Sequence, residues 1–113
     1  MRKTAVFRID PNYPDKKLIT QAAKILRSGG LVAFPTETVY GLGANILDEK
    51  AVGKLYKVKN RPEGKPFTVQ VSAISGVRDI LGCELTKETS GLTDKFWPGP
   101  LTIILKSKDG KKI

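Results

Sequence analysis

The sequence predicts an α/β fold, a mixed sheet with flanking helices, on three observations. Short apolar or alternating runs are interleaved with segments whose apolar residues recur at helical spacing. Asp, Thr, Gly and Pro stand at the junctions, where caps and turns need them. Hydrophobic residues make up 40% of the 113 positions, enough to build a core and too many for a disordered chain. The length suits one domain, and residues 1–113 are read as a single one.

In chain order, residues 5–9 alternate weakly and are expected to form a first strand, ended by Asp10 and Pro11. Asp15 is placed to cap a helix over residues 16–28, with Leu18, Ala22, Ile25 and Leu26 on one face and Gly29-Gly30 as its stop. Residues 31–34 form a short apolar run of the kind buried on both faces of a sheet, ended by Pro35. Asp48 caps a second helix, with Val52, Leu55, Tyr56 and Val58 inward. Pro62 disfavours helical geometry at Arg61, so this helix ends near Lys59. A strand is expected at 67–71, a short helix at 74–81 stopped by Gly82, and a helix capped by Thr86 with Leu92, Phe96 and Trp97 inward. Pro98-Gly99-Pro100 breaks that helix, and 101–105 is a β-rich strand. Lys108 to Lys111 spells a type I′ hairpin turn around Asp109-Gly110. The returning run has three residues where a hairpin partner usually has about five. The domain is therefore expected to be incomplete at its carboxyl end, with a frayed natural tail as the alternative.

The chain carries 20 basic and 11 acidic residues, a formal charge of +9, which favours polyanions: nucleic acid, nucleotide phosphates or anionic lipid. One cysteine, Cys83, excludes an intramolecular disulfide and a four-cysteine zinc site. The absence of histidine removes Ser-His and Cys-His nucleophile pairs, so no metal-ligating set is assigned and catalysis must rest on Lys, Arg, Thr, Tyr, carboxylates, backbone groups or a bound ion. No apolar run is long enough for a membrane span, and Met1-Arg2-Lys3 leads into no long apolar stretch. A cytoplasmic protein without a signal peptide or membrane partner is expected.

Three constellations bear chemistry. Residues 35–43, PTETVYGLG, follow the apolar run directly, at a strand end of the kind where α/β sheets bind ligands. Two threonine hydroxyls, a carboxylate and a phenol fall within five residues, and Gly41 and Gly43 would let a backbone approach a ligand. Equally, the threonines of an ordinary polar loop bond the backbone. Ile46 occupies the place of a third glycine, so this is not the dinucleotide fingerprint. The second constellation is Lys57, Lys59, Arg61 and Lys65, four cations within nine residues at a helix end and the loop after it. Lys57 suits the helix dipole. Lys59, Arg61 and Lys65, in a proline-bounded loop, suit a triphosphate: one fork-shaped guanidinium and two point charges. The third is Phe96-Trp97-Pro98-Gly99-Pro100, where Trp97 reads as a core aromatic beside a rigid turn rather than a base-stacking platform.

The three segments together, LVAFPTETVYGLGA, AVGKLYKVKNRPEGKPFTVQV and FWPGPLTIIL, resemble the YrdC-type threonylcarbamoyl-AMP synthase family over residues 31–105. The resemblance implies a twisted α/β sheet (YrdC-like) with a positively charged concave surface. It implies condensation of L-threonine, bicarbonate and ATP, with Mg²⁺, to threonylcarbamoyl-AMP and pyrophosphate. A downstream threonylcarbamoyl transferase would then build the threonylcarbamoyladenosine (t6A) of tRNAs that read ANN codons. Carried over by position, Thr38 contacts substrate threonine, with Thr36 and Tyr40 shaping the same pocket. Lys59 and Arg61 match the Lys-x-Arg pair on the ATP phosphates, as binding and catalytic cations, and Lys65 falls at a further nucleotide position. Gln70 stands where many members have a histidine. It can hydrogen-bond threonine but cannot act as an ionisable imidazole. The family's later Ser-x-Asn nucleotide motif does not follow Lys65, consistent with the expected truncation. Two competing readings are a basic module that holds tRNA or double-stranded RNA without chemistry, and an inactive fragment.

Overall fold

The computed structural model describes residues 3–107. The expected hairpin at 108–111 lies outside the described residues. The chain divides into two compact units, residues 1–61 and 62–113.

The first unit runs α1 (Lys16–Arg27), β1 (Val32–Phe34), β2 (Gly41–Gly43) and α2 (Glu49–Lys59). Both helices start and stop where local chemistry dictates. Asp15 accepts from the Lys17 N–H at 2.8 Å. Asp48 accepts from Lys50 and Ala51 at 3.1 and 3.2 Å, satisfying two N–H groups that have no intrahelical partner. At the other end of α1, Gly29 adopts φ +89°. Its N–H bonds the Leu26 carbonyl at 3.1 Å, and the Gly30 N–H bonds Ile25 at 2.8 Å. This is the Schellman closure, which needs a left-handed residue and therefore favours glycine. The Lys54 ammonium donates to the Gly29 carbonyl at 3.1 Å, tying α2 to the end of α1. Ala51 and Leu55, one turn apart, are buried. Val52 and Tyr56 are half-buried, and Val58, expected inward, is exposed: by spacing it continues the Ala51–Leu55 face, but in the last turn of α2 that face is uncovered.

β1 and β2 pair antiparallel in the register Val32↔Gly43, Ala33↔Leu42, Phe34↔Gly41, and α1 lies against β1. The strand expected to be buried on both faces is covered on one. Val32 and Phe34 are half-buried and Ala33 is exposed, the period-two pattern of a one-sided sheet. Residues 5–9 form no strand; only Ile9 among them is half-buried.

The second unit holds α3 (Ser75–Asp79) and α4 (Lys87–Phe96). Gly82, at φ +62°, closes α3, its N–H donating to the Arg78 carbonyl. Thr86 caps α4, accepting from the Thr89 N–H at 3.2 Å. The inward face of α4 is not the expected one. Thr93 is buried, whereas Leu92 and Phe96 are exposed. A threonine can take the interior position because its hydroxyl donates to the Ser90 carbonyl one turn back, at 3.0 Å. Lys95 instead lies over the Phe96 ring at 5.5 Å. Residues 67–71 and 101–105 are extended, and their exposure alternates with period two as in a strand, yet neither belongs to a ladder among the described residues. One antiparallel bridge, Cys83↔Ser107, joins the segments beside them. The fold is thus an α/β arrangement whose described sheet is a single two-stranded antiparallel pair.

Candidate functional site

The hydroxyl-rich segment is the loop of a hairpin. β1 ends at Phe34, Pro35 offers no N–H to continue the ladder, and β2 begins at Gly41. The two glycines have a different purpose from the one their spacing suggested. A Cβ on Gly41 would stand 3.1 Å from Cε2 and Cζ of Phe34, and one on Gly43 would stand 2.9 Å from Cε1. The Phe34 ring lies across the backbone of β2, and only glycine leaves room for it. Cross-strand aromatic cover of this kind fixes register in a strand too short to fix it otherwise. The Phe34 ring occupies the side of β2 on which those Cβ atoms would stand. Gly43→Ala should therefore displace the ring and destabilise the unit by about 1–3 kcal/mol, the usual range for overpacking, measured as a lowered urea midpoint at constant slope.

On this hairpin the loop is knotted by side chains. Thr36 Oγ1 accepts from the Thr38 N–H at 3.3 Å, its own proton goes to the Val39 carbonyl, and Thr38 Oγ1 lies 3.4 Å away. Thr36 is half-buried; Glu37, Thr38, Val39 and Tyr40 are exposed. Of the residues expected to line an amino-acid pocket, the structure joins Thr36 and Thr38 directly and places Tyr40 at the root of β2, 78% exposed.

The cations are set by the way α2 ends. Asn60 is the only non-glycine residue with positive φ among those described, at φ 49° and ψ 45°. Its N–H bonds the Lys57 carbonyl at 3.1 Å, and the Arg61 N–H bonds Tyr56 at 3.0 Å, a second Schellman closure. Lys59 is thus the last helical residue, and Arg61 departs along a chain turned by the left-handed Asn60. The pair straddles the helix terminus, where the orphan carbonyls put partial negative charge that cations complement. Proline at 62 was the visible stop signal. Asparagine at 60, which tolerates the left-handed conformation, is the residue that makes the turn. Lys65 and Gln70 belong to the second unit. The Lys65 N–H closes a turn on the Pro62 carbonyl at 3.0 Å, and Gln70 is an exposed position of the alternating 67–71 stretch.

Trp97 is committed to structure. Its indole N–H donates to the Leu101 carbonyl at 2.8 Å, bracing the Pro98-Gly99-Pro100 turn with the ring half-buried. Among the described residues no three His, Cys, Asp or Glu side chains gather to hold a metal ion, and no helix is long and apolar enough to cross a membrane.

Comparison with known proteins fits this arrangement. The Sua5/YciO/YrdC family, described as "Telomere recombination", matches residues 24–113. The chain is 46% identical to the threonylcarbamoyl-AMP synthase of Pyrococcus abyssi over 88 residues, 78% of this chain and 26% of that protein. It is 48% identical to the threonylcarbamoyl-AMP synthase of Bacillus subtilis over 90 residues, 80% of this chain and 26% of the relative. The crystal structure of P. abyssi Sua5 complexed with L-threonine superposes with a TM-score of 0.71 at 42% identity, covering 77% of this chain and 25% of the other. The chain therefore spans about a quarter of the length of these relatives. With more than half of its residues matched by one family and this degree of identity to that family's named enzymes, the chain belongs to the Sua5/YciO/YrdC family.

Proposed function

We propose that this chain serves the synthesis of L-threonylcarbamoyladenylate from L-threonine, bicarbonate and ATP, the first step of t6A formation in tRNA. The observation that carries the reading is the likeness to a Sua5 structure complexed with L-threonine, at 42% identity over 77% of this chain. The chemistry asks for little beyond positioning and positive charge. The threonine amine attacks the carbon of bicarbonate, forming the C–N bond of a carbamate as water leaves. A carbamate oxygen then attacks the α-phosphorus, and the bond to pyrophosphate breaks. Two anions must be held together, so fixed cations and hydrogen-bond partners supply the main stabilisation and no protein nucleophile is required.

In this reading Thr38 and Tyr40 offer hydroxyls to the amino acid, and Lys59 and Arg61 neutralise phosphate charge as ATP loses its pyrophosphate. Lys65 as a further nucleotide cation and Gln70 as a threonine partner are assigned on the family motif. Mg²⁺ would enter with ATP, as part of the substrate. Transfer of the threonylcarbamoyl group to tRNA belongs to a separate transferase.

The alternative, an RNA-holding surface, is favoured by one feature. α1 carries Lys16, Lys17, Lys24 and Arg27 and no acidic residue, and Lys17 and Lys24 border one depression with Thr20, Gln21, Ile25 and Ser28. Such a face suits a phosphate backbone. Calorimetric titration of the 113-residue chain tests the leading reading. L-threonine and ATP should each bind saturably, at about millimolar dissociation constants or tighter. A chain that binds neither up to tens of millimolar would overturn it.

A further inference from the structure

The Thr36 side chain is used up inside its own loop. A hydroxyl has one proton and two lone pairs. The Thr36 proton goes to the Val39 carbonyl, and one lone pair takes the Thr38 N–H at 3.3 Å. The remaining neighbour, Thr38 Oγ1 at 3.4 Å, is too distant for a strong hydroxyl pair. Residue 36 therefore grips both 38 and 39 through the backbone, while its methyl faces β2, 3.5 Å from where a Gly41 Cβ would stand. Thr36 is half-buried and Thr38 exposed, so the gripping residue lies beneath the presented one. Phe34, laid across Gly41 and Gly43, anchors both ends of the same loop.

We propose that Thr36 is a positioning residue: its hydroxyl closes residues 36–39 into one fixed turn that aims the Thr38 hydroxyl at the amino acid, without itself touching the substrate. The family-based expectation has Thr38 contact the substrate threonine and Thr36 shape the same pocket; the proposal gives that shaping a definite form, a backbone grip on residues 38 and 39. It rests on the reading that L-threonine is the ligand. The energetic logic is preorganisation. A loop already fixed by two internal bonds loses less conformational freedom when the amino acid binds than a loose one.

The test compares Thr36→Val, which keeps shape and removes the hydroxyl, with Thr36→Ser, which keeps the hydroxyl and removes the methyl, in the full 113-residue chain. Two readouts are taken by NMR: L-threonine affinity and backbone ¹⁵N order parameters of residues 38–40. Thr36→Val should weaken threonine roughly 5- to 20-fold, on the scale of one or two net hydrogen bonds. The loop order parameters should fall from about 0.85 towards 0.6. Thr36→Ser should restore both. Thr38→Val should lose affinity while the loop stays ordered. Unchanged affinity and order in Thr36→Val would overturn the proposal. So would lost affinity with an unaltered loop, which would make Thr36 a direct contact, or equal damage in the Val and Ser variants. If the wild-type chain binds no L-threonine, the substrate reading falls separately. The order parameters then decide the turn by themselves, loosening in Val with recovery in Ser upholding it and any other pattern overturning it.

Discussion

Replacing Arg61 by alanine should weaken ATP binding by about 10- to 100-fold, the loss that follows when a charge-assisted hydrogen bond worth roughly 1.5–3 kcal/mol is removed. The expectation comes from the way Arg61 is delivered. Its backbone N–H is held on the Tyr56 carbonyl, and the left-handed Asn60 before it sets the direction of departure from α2. The guanidinium therefore starts from a fixed origin, and a planar fork from a fixed origin can meet a phosphate bidentately. Arg61→Lys should recover only part of the affinity, because a point charge replaces the fork. The same variant separates the two functional readings. If the chain works by holding RNA over a diffuse basic face such as that of α1, one missing charge at residue 61 should leave RNA binding and its salt dependence nearly unchanged and leave ATP irrelevant. Titration of ATP and of RNA against both variants, at two salt concentrations, distinguishes them. An Arg61→Ala chain that binds ATP as the wild type does would remove the phosphate role.

What the sequence revealed well was local. Asp15, Asp48 and Thr86 each cap the helix they precede, and Gly29 and Gly82 each close one. Those signals depend on a few neighbouring residues. Side-chain facing was less legible where polarity misleads. Thr93 takes the interior of α4 because Ser90 satisfies its hydroxyl, a bond that apolar periodicity does not register. Sheet pairing was least legible, because it depends on distant partners. Residues 67–71 and 101–105 have the composition and alternating exposure of strands, yet the ladder among the described residues is β1 with β2 alone. The candidate site divides in the same way. Its residue types and the proline-bounded end of α2 were visible, whereas the Phe34 ring over Gly41 and Gly43 required the register Phe34↔Gly41 to be known.

Leu55→Ala should cost the largest amount of stability of any single truncation in the first unit, about 2–5 kcal/mol. Among the described residues of that unit the buried hydrophobic side chains are Ala51 and Leu55, and Leu55 is the larger, 6% exposed. Against a typical domain stability of roughly 5–15 kcal/mol, and the lower end of that range for a unit this small, such a loss is a large fraction of the whole. It should lower the melting temperature by about 8–40 °C, since 1 kcal/mol is worth roughly 4–8 °C at this size. Val58→Ala is the internal control. Val58 lies three residues further on the same helix but is 64% exposed, so its truncation should stay within about 0.5 kcal/mol. The contrast reaches the site, because Leu55 is one turn before Lys59 and two residues into the turn that closes α2 lies Arg61. A helix that loses its buried anchor presents those cations in a wider range of orientations, and ATP affinity should fall with stability in Leu55→Ala while remaining intact in Val58→Ala. Equal melting temperatures for the two variants would show that α2 is not held by the Ala51–Leu55 face, and the account of how Lys59 and Arg61 are fixed would fail with it.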